Sequence, residues 1–152
     1  SQMISRLLTD DITGLNVLDM GCGTSILAIL ARMRGAAHCL GIDVDEWCVK
    51  NSRENIQLNH LDGIDVELGD ASSLAGQGPF DLVIANINLG ILLNDLKHYV
   101  PCMKPGSYIY MSGFYDTDIP QLVAEAERQG LKLTDEHVLD GWACLKLQKI
   151  EA

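Results

Sequence analysis

The segment from Asn16 to Ala31, NVLDMGCGTSILAILA, constrains this chain more than any other. A short apolar run, Val17-Leu18, meets an acid at Asp19, then Gly21 and Gly23 with one residue between them, then an unbroken helical run. That order predicts a strand, a tight turn and a helix. Glycines at such a turn let the backbone bend sharply and let a ligand reach the main chain where a Cβ would stand in the way. A nucleotide-like ligand is the first expectation, although a bare G-x-G also fits any strand-to-helix turn of an α/β protein.

Asp19 separates two ligand classes. In a dinucleotide-binding turn the glycines and the helix N-terminus receive a pyrophosphate, which a carboxylate two residues before the first glycine would repel. S-adenosylmethionine has no phosphate and carries an ammonium and a sulfonium, which the same carboxylate attracts. The G-x-G-x-x-G pattern also fails, because its third glycine would fall at Ile26.

The remaining chain predicts alternating strands and helices. Met3, Ile4, Leu7 and Leu8 form a helical stripe, so the chain opens inside a helix, from Ser1, that Gly14 ends. Ser25 to Arg34 reads as a helix packed deeply against a sheet, and His38 to Asp43 as a buried strand ending in an acid. Asp43 lies 20 residues beyond Gly23, the spacing at which such folds place a carboxylate for ribose hydroxyls. Asp45 or Glu46 begins a helix to about Asn59, and Ile64 to Leu68 is the next strand. Phe80 to Ala85 is a continuous apolar strand ending in Asn86-Ile87-Asn88. Asn86 there either faces the reacting group, its amide oxygen orienting an amine by accepting an N–H, or caps a helix from Ile87 to Tyr99. Lys104-Pro105-Gly106 turns into the strand Ser107 to Ser112, and Asp118 caps a helix with Gln121 three residues on. Asp140-Gly141 joins Glu136–Leu139 to Trp142–Gln148 as a hairpin.

Length and composition set outer limits. At 152 residues one domain is expected, able to bury roughly 70% of its unfolded surface. No run reaches the ~18 apolar residues of a membrane span and no signal segment is visible, so the expected location is the cytoplasm. Five cysteines without C-x-x-C spacing read as reduced, mostly buried thiols. Four scattered histidines, and an Asp43/Asp45 pair better explained as a strand end and a helix cap, predict no metal. A formal charge of −10 argues against direct nucleic-acid binding and favours a basic protein partner.

Asp19-Met20-Gly21-Cys22-Gly23-Thr24 resembles motif I of the seven-strand S-adenosylmethionine-dependent methyltransferases, which usually have glycine where this chain has Ser25; serine there can cap the next helix. This resemblance implies a Rossmann-like, doubly wound α/β sheet in the order 3-2-1-4-5-7-6 with strand 7 antiparallel and helices on both faces. It implies cofactor contacts at Asp19, Gly21, Cys22, Gly23 and Asp43, and at Asp70 and Ala71, where an acid meets the adenine amino group and the next backbone amide lies near the ring. Asp70 can equally be a cap for the Ser72 to Leu74 turn.

Within that superfamily the chain is most similar to the bacterial methyltransferases of ribosomal large-subunit protein eleven. The similarity is carried by Phe80-Asp81-Leu82-Val83-Ile84-Ala85-Asn86-Ile87, Lys104-Pro105-Gly106, Ser112-Gly113-Phe114 and Gly141-Trp142. It implies methylation of lysine side chains and the α-amino group of a basic ribosomal protein, with Asn86 as the catalytic and cofactor-facing residue and S-adenosylhomocysteine as product. Other methyltransferase substrates, such as a small amine or protein glutamine, and a cofactor-binding domain without catalysis remain open. Two departures stand out. Asn88 replaces the usual apolar residue after Asn-Ile, and the family's amino-terminal substrate-recognition domain and cofactor-covering loop are not in these residues, so a catalytic domain of a longer protein is expected.

Overall fold

The computed structural model describes residues 2–150; the expected start of the first helix at Ser1 lies outside them. The element order is α1 (Gln2–Thr9), β1 (Asn16–Met20), α2 (Ile26–Met33), β2 (His38–Asp43), α3 (Glu46–Leu58), β3 (Ile64–Leu68), β4 (Phe80–Asn86), α4 (Leu89–Tyr99), β5 (Met103–Tyr115), α5 (Ile119–Arg128), β6 (Leu131–Leu139) and β7 (Trp142–Lys149). The seven strands form one sheet in the order β3-β2-β1-β4-β5-β7-β6. The first five in that order run parallel, and β7 lies antiparallel between β5 and β6.

Strand alternation divides the core between the two faces. Leu18, Met20, Val83, Ala85, Ile109 and Met111 face α4 and α5 with Leu92, Leu96 and Leu122. Val17, Leu82, Ile84 and Tyr110 face the other way, with Met3 and Leu7 of α1 and Ala28 and Ala31 of α2. Val49 and Ile56 of α3 extend that second face over β3 with Cys22, Ile29 and Val66. All five cysteines are free thiols, and Cys22, Cys39, Cys102 and Cys144 are buried.

Three caps differ from expectation. Ser25 precedes α2, but at φ 65° and with no side-chain cap bond; it occupies a left-handed conformation that glycine adopts without strain, and its buried side chain leans on Cys22 instead. The helix after β4 starts at Leu89 rather than Ile87, because Asn88 Oδ1 accepts the Ile91 N–H at 3.0 Å. Asp118 makes no cap bond to α5; its carboxylate turns back to accept the Tyr115 N–H at 3.0 Å. Lys104-Pro105-Gly106 is a bulge within β5, where the pairing with β4 jumps from Phe80↔Met103 to Leu82↔Tyr108. Asp140 and Gly141 both have positive φ, as a two-residue hairpin turn requires.

Candidate functional site

Parallel register brings the carboxyl ends of β1, β2 and β4 to one edge, with Met20 opposite both Ile42 and Ala85. The loop after β1 is folded onto β2: the Gly21 and Cys22 N–H groups both donate to the Ile42 carbonyl, at 2.8 and 3.1 Å. Asp43 then grips the loop. Its Oδ2 accepts the Gly23 N–H at 2.9 Å and its Oδ1 the Asp45 N–H at 2.9 Å. Each oxygen retains a lone pair for an outside donor. α3 braces the loop from behind, where Ser52 Oγ donates to the Gly23 carbonyl at 2.6 Å and Asn55 Nδ2 to the Thr24 carbonyl at 3.1 Å.

The two motif glycines have different reasons to be there. Both have positive φ. A Cβ on Gly21 would meet Ile87 at 3.1 Å, so this residue lets the loop after β4 close against the loop after β1. A Cβ on Gly23 would meet no protein atom within 4 Å. Gly23 therefore fronts open space, the cradle that a ligand lying on the backbone needs.

Asp19 sits beneath this loop. Alternation along β1 points it to the α2 face, among apolar residues, and it is 1% exposed. Burial pushes its carboxyl up to about 7; the Ala28 N–H in the first turn of α2 counteracts this, and the nearby Asp43 charge adds to it. Its Oδ2 is buried without a hydrogen-bond partner. A carboxylate in that state is stabilised by a cation placed above the loop. The orphaned acid and the open face of Gly23 together fit a nucleoside ligand that carries positive charge.

The side chains of Cys22 and Ala71 are buried. The Cys22 thiol packs against Gly41 and under α3, and burial raises its pKa to about 11, so it is an inert core group that shapes the turn. The Ala71 methyl is buried in the core. Asp70, at the end of the segment after β3, caps the short Ala71–Leu74 turn by accepting the Ser72 N–H at 2.9 Å and the Ser72 hydroxyl through Oδ1. Those two bonds hold its pKa below the usual carboxylate range, so it is an ionised acceptor at neutral pH.

Asn86 ends β4 with its side chain exposed. Ser112 Oγ, on the paired residue of β5, donates to Asn86 Oδ1 at 3.0 Å and so fixes which way the amide points. The next residue is tied down as well, since the Ile87 N–H donates to the Ser112 carbonyl at 3.0 Å. Gly113 allows this approach: at φ 100° it forms a bulge opposite β7, and a Cβ there would stand 2.6 Å from the Ile87 carbonyl oxygen. Beside Asn86 opens a cleft of about 350 Å³, walled by Met3 of α1, Ser112 and Gly113 of β5, and Leu139, Asp140 and Trp142 of the β6–β7 hairpin. Trp142 stacks on Tyr115, with ring centroids 4.3 Å apart. Among the described residues no group of three His, Cys, Asp or Glu side chains is placed to hold a metal ion.

The cleft walls and the α3 braces were not predicted. Ser52 had a sequence signal, because it occupies the buried stripe of α3 between Val49 and Ile56 where an apolar residue is the norm. Met3 and the hairpin tip had none, since they meet only through the sheet.

Known proteins share the sequence and the fold of this chain. The family model described as ribosomal protein L11 methyltransferase (PrmA) matches residues 2–150. The chain belongs to that family. The ribosomal protein L11 methyltransferase of Bacteroides thetaiotaomicron is 60% identical over 146 residues, which are 96% of this chain and 52% of that protein. The chain thus spans about half the length of the curated relatives it matches. A crystal structure of ribosomal protein L11 methylase from Lactobacillus delbrueckii subsp. bulgaricus superposes with a TM-score of 0.87 at 26% identity, covering 99% of this chain and 76% of that one. The fold is shared more widely: an S-adenosylmethionine-dependent methyltransferase from Mesorhizobium loti gives a TM-score of 0.77 at 14% identity, covering 94% of each chain.

Proposed function

We propose that this chain is the catalytic domain of an enzyme that transfers methyl groups from S-adenosylmethionine to amine nitrogens, lysine side chains and an α-amino group, of a basic large-subunit ribosomal protein. The observation that carries this reading is the junction at Ile87. There the Ile87 side chain lies 3.1 Å from where a Cβ on Gly21 would stand, while Ser112 binds both the Ile87 N–H and the Asn86 amide oxygen, so a nucleoside lying over the glycine loop and an incoming amine would meet at the ends of β1 and β4.

S-adenosylmethionine would supply an electrophilic methyl on a positive sulfur. The chain's own residues do the rest by holding and aiming. Asp43 offers its remaining lone pairs to ribose hydroxyls, Asp70 its carboxylate to an adenine amino group, and Ala71 its N–H to the ring. Asp19 places negative charge under the loop. Asn86 Oδ1 has one lone pair engaged by Ser112, and its other lone pair accepts an N–H from the acceptor amine, pointing the nitrogen's own lone pair at the methyl. An amide cannot take the proton that a lysine ammonium must lose first. A lysine ammonium in water gives up that proton only near pH ~10.4, so the rate should rise with pH across neutrality as solvent removes it.

In this reading the half of the relatives' length beyond these residues holds the ribosomal protein, and the reaction takes place in the cytoplasm, where ribosomal proteins are made. Among the described residues no helix is long and apolar enough to cross a membrane. The test is radiolabelled methyl transfer by the full-length protein to purified basic ribosomal proteins and to free small amines. Labelling of one large-subunit protein at lysine and amino-terminal nitrogens is expected, and labelling of small amines alone would overturn the substrate assignment.

A further inference from the structure

Two walls of the cleft beside Asn86 come from distant parts of the chain, and an ion pair joins the elements that carry them. Met3, 1% exposed, forms the α1 wall, while Leu139 and Asp140 at the end of β6 form the other. Arg6 lies three residues beyond Met3 on α1, and Asp135 lies four residues before Leu139 on β6. Their side chains are bonded, guanidinium Nη2 to carboxylate Oδ2. Arg6 is only 9% exposed, and its Nε is buried without a partner. The Asp135 carboxylate is 45% exposed, but parting the pair would leave the largely buried guanidinium without its carboxylate, which is costly.

The other end of the helix is anchored separately. Asp10 accepts the Tyr110 hydroxyl at 2.5 Å and Lys146 Nζ at 3.3 Å, on β5 and β7. Arg34 of the α2 C-terminus donates to the Leu8 carbonyl at 3.0 Å. Those bonds hold α1 to the sheet away from the cleft, whereas the Arg6–Asp135 pair spans from the helix to the strand that carries the opposite wall.

We infer that the Arg6–Asp135 pair is a positioning element for methyl transfer: it sets the width of the cleft through which the acceptor amine reaches Asn86. This inference rests on the reading of the cleft as the acceptor's path. Side chains three apart on a helix share a face, so a shift of α1 at Arg6 moves Met3 with it. The stem of a lysine is apolar and fills space between apolar walls; a cleft that gapes loses that contact in the ground state and transition state alike, and the loss appears in KM.

The experiment uses full-length protein, with wild type on its ribosomal substrate as the first measurement. Absence of wild-type transfer would count against the functional reading; with transfer present, the variants address the cleft alone. Asp135→Asn should raise the acceptor KM about tenfold while kcat and cofactor Kd stay within about twofold, and Asp135→Glu, which keeps a carboxylate for Arg6, should restore most of the KM. Asp10→Asn weakens the far anchor and controls for loss of stability. It should lower the melting temperature without raising KM. An unchanged acceptor KM in folded Asp135→Asn, or an equal rise in Asp10→Asn, would overturn the inference.

Discussion

Asp19 is the residue whose surroundings conflict most with its chemistry. An apolar side chain would suit its place on the α2 face of β1, yet it is a carboxylate whose pKa burial has raised to about 7. The unfolded chain releases that proton near ~3.9, so between about pH 4 and pH 7 the folded protein binds more protons than the unfolded one, and raising the pH through that window costs stability. Asp19→Asn should therefore melt at nearly the same temperature as the parent at pH 4 and at a higher one at pH 8. In the parent, S-adenosylmethionine affinity should climb as pH rises through 7, because the ligand's ammonium favours the ionised acid; in the variant it should be flat. Parallel thermal melts and calorimetric titrations at several pH values check both halves, and a parent whose affinity ignores pH would disconnect Asp19 from the cofactor. Asp43 differs in kind. Its spacing to Gly23 predicts a ribose acceptor, the role proposed above, but its two backbone bonds to the glycine loop and the α3 start have no sequence signal, because a carboxylate's local partners depend on how the loop folds back. Asp43→Ala should cost about 1.5–3 kcal/mol of cofactor affinity, the range for hydrogen bonds to a charged group, and should also lower the melting temperature without ligand. NAD should bind the parent far more weakly, since Asp19 puts negative charge beneath the loop on which a pyrophosphate would lie.

At the scale of elements, the segment Asn86-Ile87-Asn88 shows where sequence reading stops. Two asparagines two residues apart, each able to cap a helix, stand between a strand and a helix, and periodicity cannot say which one does so. The structure separates them by pairing: β4 continues through Asn86, opposite Ser112 of β5, so the helix cannot begin until Asn88. The same ambiguity explains Ser25 and Asp118, residue types that favour caps but are diverted by a left-handed turn and by the Tyr115 amide. The hairpin and the helix succession are readable because each has a local signal, whereas the strand order is implied by the resemblance that motif I carries. The Gly113 bulge against Ile87 has no such signal, being a contact between backbones from different strands. The division of labour is measurable. Asn88→Ala should cost about 1 kcal/mol in denaturant unfolding, the usual loss for a cap, with turnover little changed. Asn86→Ala should do the reverse, lowering turnover far more than stability or cofactor affinity. Equal turnover losses in the two variants would remove the special place given to Asn86.

At the scale of the whole molecule, one seven-stranded sheet is packed on both faces, and the glycine-loop edge and the cleft beside Asn86 are formed by its own elements. A domain with its own core folds alone, so these 152 residues should give a cooperative unfolding transition and bind S-adenosylmethionine. Methyl transfer asks for more. The cleft can admit a side chain, but about 350 Å³ is too small to hold a protein, and the chain spans only about half the length of its relatives. Its net charge of −10 draws a basic partner near by long-range attraction, which salt screens and which does not fix orientation. Orientation of reacting groups accounts for ~7–11 kcal/mol of a typical barrier. If the remainder of the protein supplies it, these residues alone should transfer methyl to the ribosomal protein at a small fraction of the full-length rate even with saturating cofactor, and adding salt should reduce that residual activity further. Transfer to a free lysine-bearing peptide at high concentration should differ much less between the two proteins, because concentration replaces part of the lost recognition. Radiolabel incorporation by both proteins, on both acceptors, at equal cofactor saturation makes the comparison; equal rates on the ribosomal protein would place its recognition within these residues and end the two-domain reading.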